Sequence, residues 1–195
     1  MQSEELDIEA LKRDPEFLKN LKLLEEEMRE KESIARGYQL LDAKLVIGAA
    51  QDDINEIFTF IVDKAFDNLA QILSEKRKFD MSDPEQWATS RAIYEHAIQR
   101  YSENDLKGAK EIFLALHHLI TESELSDAMM VHAAALMAGH DFDSFIENIA
   151  DVNDSDIDPN DPLAFFITSF SQPTDILLQL FHKEVQEGRE MLAKL

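Results

Sequence analysis

The sequence predicts an all-α protein, and three observations predict it. Its 195 residues include 5 Gly and 5 Pro, where ordinary usage would supply roughly 14 and 10. Strands joined by tight hairpins, and the loops of doubly wound nucleotide folds, need more turn residues than that. Leu, Ala, Glu, Lys and Gln, which lose least in a helix, are abundant. Apolar residues also recur at spacings of three and four, the period of one helix face.

The elements follow in order. Asp14-Pro15-Glu16 starts a helix, with Pro at the first helical position and an acid in the first turn. Phe17, Leu21, Leu24 and Met28 form its stripe; Lys31 interrupts the seam, which resumes at Ala35, Tyr38, Leu41 and Leu45. Two readings stand open: an arm that makes a homodimer through the N-terminal helices, or one long helix packed on its own domain. Gly48 and the acids Asp52 and Asp53 mark a turn and the next helix start. That helix is expected to bury Ile54, Ile57, Phe58, Ile61, Phe66, Leu69 and Ile72. Lys76-Arg77-Lys78 at its end reads as complementing the helix dipole rather than as a nucleic-acid patch. Ser82-Asp83-Pro84-Glu85 opens a helix carrying Trp87, Ile93, Tyr94, Ala97, Ile98 and Tyr101. Asn104-Asp105 breaks it, and a second apolar helix follows at once, so the two are antiparallel neighbours. These elements divide the chain into an N-terminal helical extension, 1–80, and a helical domain, 81–195.

Charge excludes several functions. With 19 Lys+Arg against 40 Asp+Glu the net charge is −21, which repels phosphate backbones and argues against nucleic acid. Without cysteine there is no disulfide, thiolate nucleophile or thiolate metal site. No apolar run approaches the roughly 20 residues that span a bilayer, so no membrane insertion is expected. Met1-Gln2-Ser3-Glu4-Glu5 carries no secretory signal pattern, and the expected location is cytoplasmic. Residues 111–182 contain 13 acids and no Lys or Arg, a single-sign stretch that either steers a basic partner or serves solubility. Within it, Asp151 to Pro162 has calcium-like Asp spacing but lacks the Gly and terminal Glu of an EF-hand. It reads as an acidic connector, with Asp161-Pro162 starting the next helix.

Catalytic motifs are missing. There is no Gly-rich phosphate loop, no HExxH helix and no nucleophile elbow. His132 and His140 lie eight apart, with no third ligand at a recognisable spacing. The expectation is a non-enzyme with no catalytic residues, metal or cofactor.

Internal repetition is the informative feature. Ala97, Tyr101, Asn104-Asp105-Leu106, Ala109, Phe113 and Leu116 are echoed 36 residues on by Ala133, Met137, His140-Asp141-Phe142, Phe145 and Ile149. A small residue lets two helices approach, a polar turn reverses the chain, and a large apolar residue seats into the next pair. This pattern resembles the tetratricopeptide repeat, whose period is about 34 residues. About three hairpins are expected, the last a degenerate one running from Pro162 through Phe165, Phe166 and Phe170 to the helix after Pro173. More narrowly, the spacing of Ala97, Tyr101, Ala109, Phe113 and Leu116 resembles the class II chaperones of bacterial type III secretion, the LcrH/SycD/IpgC-like family. That resemblance implies a cytoplasmic, non-enzymatic chaperone that keeps a hydrophobic translocator soluble until export; a tetratricopeptide-like adaptor for another protein is the alternative. It also implies that first helices line a concave groove. Tyr94, Ile98, Tyr101, Met130, Ala134 and Met137 would then hold an extended apolar segment of a client, leaving Ala97, Ala109, Phe113 and Leu116 for the core.

Overall fold

The structure is a computed structural model, and it describes residues 7–152 and 161–194. Every element among them is a helix; backbone pairing outside the helices is limited to two isolated bridges, Phe79 with Ile120 and Ala150 with Phe170. The chain divides into two compact units, Met1–Ala70 and Gln71–Leu195. The division precedes the expected 80/81 boundary because Phe79 is tied to the second unit. Its amide donates to the Leu119 carbonyl at 2.9 Å and its ring is buried.

The first unit holds α1 (Ile8–Leu11), α2 (Pro15–Glu30), α3 (Ile34–Val46) and the first part of α4 (Gln51–Ser74). Asp14 caps α2 by accepting from the Glu16 amide, with Pro15 just inside. The first helix is not continuous: the chain reverses at Lys31–Ser33 and α2 packs against α3. Glu32 takes the left-handed conformation (φ 52°) and Ser33 caps the new helix through the Arg36 amide. Two strong local stop-and-start signals thus outweigh the stripe. Met28, Ile34, Tyr38 and Leu40 form the interior with Ile57 and Ile61 of α4, while Phe58, expected to be buried, lies at the surface. At Gly37 a Cβ would stand 2.9 Å from Ile61 Cγ1, so α3 meets α4 closely only because this residue has no side chain. After α4, Lys76 adopts φ 54° and Arg77 N–H reaches back to the Ile72 carbonyl, the bonding of a left-handed helix cap.

The second unit holds α5 (Pro84–Ser102), α6 (Leu106–Leu119), α7 (Ser123–Met137), α8 (Phe142–Asn148), α9 (Thr174–Leu180) and α10 (His182–Leu192). Helix α7 is its centre: Ala128 through Leu136 are all buried, and α6, α8, α9 and α10 each pack on it. A helix apolar on every side has to be enclosed in this way. The 36-residue echo is visible in atomic detail. Asp105 and Asp141 cap α6 and α8, accepting from the amides of Gly108 (3.0 Å) and Ser144 (2.8 Å). Ala97 and Ala133 are both fully buried, as are Ala109 and its counterpart Phe145. The preceding turns pass through the left-handed region at Asn104 (φ 64°) and Gly139 (φ 96°).

The expected third hairpin is different. Asp161-Pro162 opens a turn, not a helix: the Asp161 carboxylate accepts from the Leu163 amide, and Ala164 and Phe166 donate three residues back. The chain stays non-helical through Phe170, which bridges antiparallel to Ala150, before α9 starts after Pro173. Most of the acidic connector, residues 153–160, lies outside the described residues. Among the described residues no helix is long and apolar enough to cross a membrane.

Candidate interaction surface

The residues expected to line an open groove are, in the main, core. Tyr94, Tyr101, Met130 and Ala134 are each at most 3% exposed; Ile98 and Met137 are half-buried. Other parts of the same unit cover them. At Gly188 of α10 a Cβ would stand 2.9 Å from Leu114 Cδ2 and 3.5 Å from Met130 Sδ, so α10 lies directly on this face. The non-helical strap, 162–170, lies on Tyr94, and Phe142 and Phe145 of α8 pack on Tyr101.

The strap crosses α5 and α7 through a run of specific contacts. The Trp87 indole N–H donates to the Pro162 carbonyl at 3.1 Å, and Phe165 meets the Trp87 ring edge-on at 5.7 Å. The Arg91 guanidinium stacks 3.6 Å over Phe165 while its Nε donates to Glu95. Phe166 packs on Tyr94, with centroids 5.0 Å apart, and the Ile167 amide donates to the Tyr94 hydroxyl at 2.9 Å. Phe170 approaches His132 at 5.9 Å.

His132 is the polar centre of this packing. It is fully buried among Tyr94, Phe113, Phe145 and Phe170. Its Nδ1 lies 2.8 Å from the Ala128 carbonyl, which can only accept, so Nδ1 carries the proton. Nε2 is then an acceptor and takes the Tyr94 hydroxyl proton at 3.2 Å, leaving that oxygen to accept from Ile167. Each group of this relay, Ala128 C=O, His132, the Tyr94 hydroxyl and the Ile167 amide, is satisfied with the imidazole neutral. Burial accordingly lowers the His132 pKa to about 4 and pushes the Tyr94 phenol well above its ordinary value. A neutral, enclosed imidazole with both nitrogens committed has no access to a substrate. Among the described residues no three His, Asp or Glu side chains converge on a common point where a metal could bind.

Among the described residues of the second unit are two open surfaces. One is a groove of about 630 Å³ along α9 and α10, lined by Leu178, His182, Val185, Gln186, Arg189 and Glu190. The other, about 490 Å³, lies between the start of α5, the start of α7 and the first residues of the strap. Trp87 and Leu125 give it apolar walls, and Glu122, Glu124 and Asp161 surround it with carboxylates.

No family model, curated protein or solved structure matches the chain. Function is therefore argued from these surfaces. Sequence alone gives Trp87 no role beyond one more apolar residue, counts Glu122 and Glu124 only as acids, and assigns Asp161 to a helix start. The available signals were the chain's single Trp and the missing cations between 111 and 182.

Proposed function

We propose that the second unit is a protein-binding module of tetratricopeptide type, and that the chain acts as a non-enzymatic, cytoplasmic chaperone. Its client would be a hydrophobic secreted protein of the type III translocator class. The observation that carries this is the strap: the face built by α5 and α7 holds a non-helical apolar segment, Leu163 to Phe170, through aromatic contacts and one main-chain hydrogen bond. A helix face that accommodates such a segment from its own chain has the chemistry to take one from a client. The register of Asp105 with Asp141 and of Ala97 with Ala133 supports the repeat assignment.

Strong net negative charge suits the role, since it keeps a complex with an apolar client dispersed. Co-expression tests the proposal. The client is an apolar secreted protein encoded beside this chain; alone it is expected in the insoluble fraction, and with this chain in a soluble complex that survives gel filtration. A client that stays insoluble at equal expression contradicts the chaperone assignment.

A further inference from the structure

We infer that the open groove at Trp87 is the docking site for a protein segment carrying an apolar anchor side chain flanked by lysine or arginine. The inference takes from the proposed function only that the partner is a protein; it adds the face and the partner's sequence chemistry.

The groove has the two parts such recognition needs. Its walls are apolar, with Trp87 from α5, buried Leu125 from α7 and half-buried Met81 and Leu163 from the flanking segments. At about 490 Å³ it accommodates a large side chain together with part of its neighbours. The Trp87 N–H is already paired with the Pro162 carbonyl, so the indole offers a partner ring surface rather than a hydrogen bond. Ring surface is what an apolar or cationic side chain uses.

Charge selects the occupant. Glu122, Glu124 and Asp161 surround the opening and are exposed, and no ion pair engages any of them among the described residues. Glu122 occupies the cap position of α7 but makes no side-chain capping bond, so the helix does not consume its carboxylate. Arg91 approaches the Trp87 ring to 5.9 Å but is held by other groups. Arg91 is buried against Phe165 and bonded to Glu95, and the Lys78 ammonium donates to the His118 carbonyl. From 111 to 182 the sequence supplies no Lys or Arg to neutralise the rim. An apolar floor under an uncompensated negative rim favours an apolar anchor with basic neighbours and repels an acidic segment, a second copy of this chain included. The anchor supplies affinity, while the rim supplies on-rate and salt dependence.

Trp87 is the chain's only tryptophan, so its emission reports this groove directly. The full chain is titrated with a synthetic peptide of alternating leucine and lysine, and with the matched peptide carrying glutamate for lysine. The lysine peptide is expected to shift Trp87 emission saturably, weakening at least about tenfold between roughly 0.05 and 0.5 M salt. The glutamate peptide is expected to leave the emission unchanged. Combining Glu122→Gln, Glu124→Gln and Asp161→Asn, which keeps the acceptor for the Leu163 amide, is expected to cost at least about tenfold in affinity. Ser82→Arg, placing a cation at the exposed mouth, is expected to do the same, with helix content by circular dichroism as in the parent. No response to the lysine peptide, equal binding of both peptides, or unaltered binding by both variants overturns the inference. So does concentration-dependent dimerisation that the lysine peptide does not compete with. Peptide binding alongside a client that stays insoluble would overturn the chaperone assignment and leave the groove standing; a soluble client complex with no peptide response would do the reverse.

Discussion

His132 sits in the second unit with both ring nitrogens engaged and no water-facing edge, and this sets a pH dependence whose sign is definite. Its folded pKa is lowered to about 4 from an ordinary 6.5, so between those values the unfolded chain binds a proton that the folded one refuses. Stability contributed by the neutral imidazole is complete above about pH 6.5 and is lost as pH falls toward 4. The shift corresponds to about 3 kcal/mol. Urea unfolding at pH 7 and pH 4.5 should show a loss in the parent exceeding that in His132→Phe by about 2 kcal/mol, most of the full shift; equal losses would mean His132 is solvated. Tyr101 illustrates the same environment. Its hydroxyl donates to the His140 carbonyl at 2.5 Å, and at 1% exposure it is a core residue that could not be replaced by Glu without unfolding.

At the scale of elements, α8 is the informative case. Seven residues are too few to be helical alone, so α8 depends on its Asp141 cap and on Phe145, which packs against Tyr101 at 5.8 Å and His132 at 4.8 Å. Phe145→Ala should cost about 3–5 kcal/mol in urea unfolding; a cost below about 1 kcal/mol would show α8 to be peripheral. The same elements show what was legible in the sequence. Starts marked by Asp14-Pro15 and Asp83-Pro84, and the paired turns ending at the Asp105 and Asp141 caps, were readable because local backbone chemistry decides them. The break at Lys31–Ser33 shows in the sequence only as Lys31 interrupting a seam that then resumes, and helical spacing cannot reveal where a chain doubles back. The strap was illegible for another reason: Phe165, Phe166 and Phe170 read as a helix face, yet each is held by a distant partner, Trp87, Tyr94 or His132. For the expected groove, helical spacing places Tyr94, Tyr101 and Met130 on stripes but cannot give their exposure. Which stripe of α7 faces outward depends on α10, and Gly188 lets α10 close over Met130.

Over the whole molecule, fold class and the absence of catalytic motifs both follow from composition and spacing, while the open surfaces follow from packing. The enclosed polar centre, the self-held apolar strap and the negative groove are the features on which the proposed binding role rests. The most direct measurement is light scattering of an apolar secreted client diluted from urea into buffer with the full chain present. A chaperone of the proposed kind holds scattering near baseline once the two are at about equal molar concentration, and the client is then recovered in a stoichiometric complex. Aggregation that proceeds as fast with this chain as with an equally acidic unrelated protein would contradict the assignment.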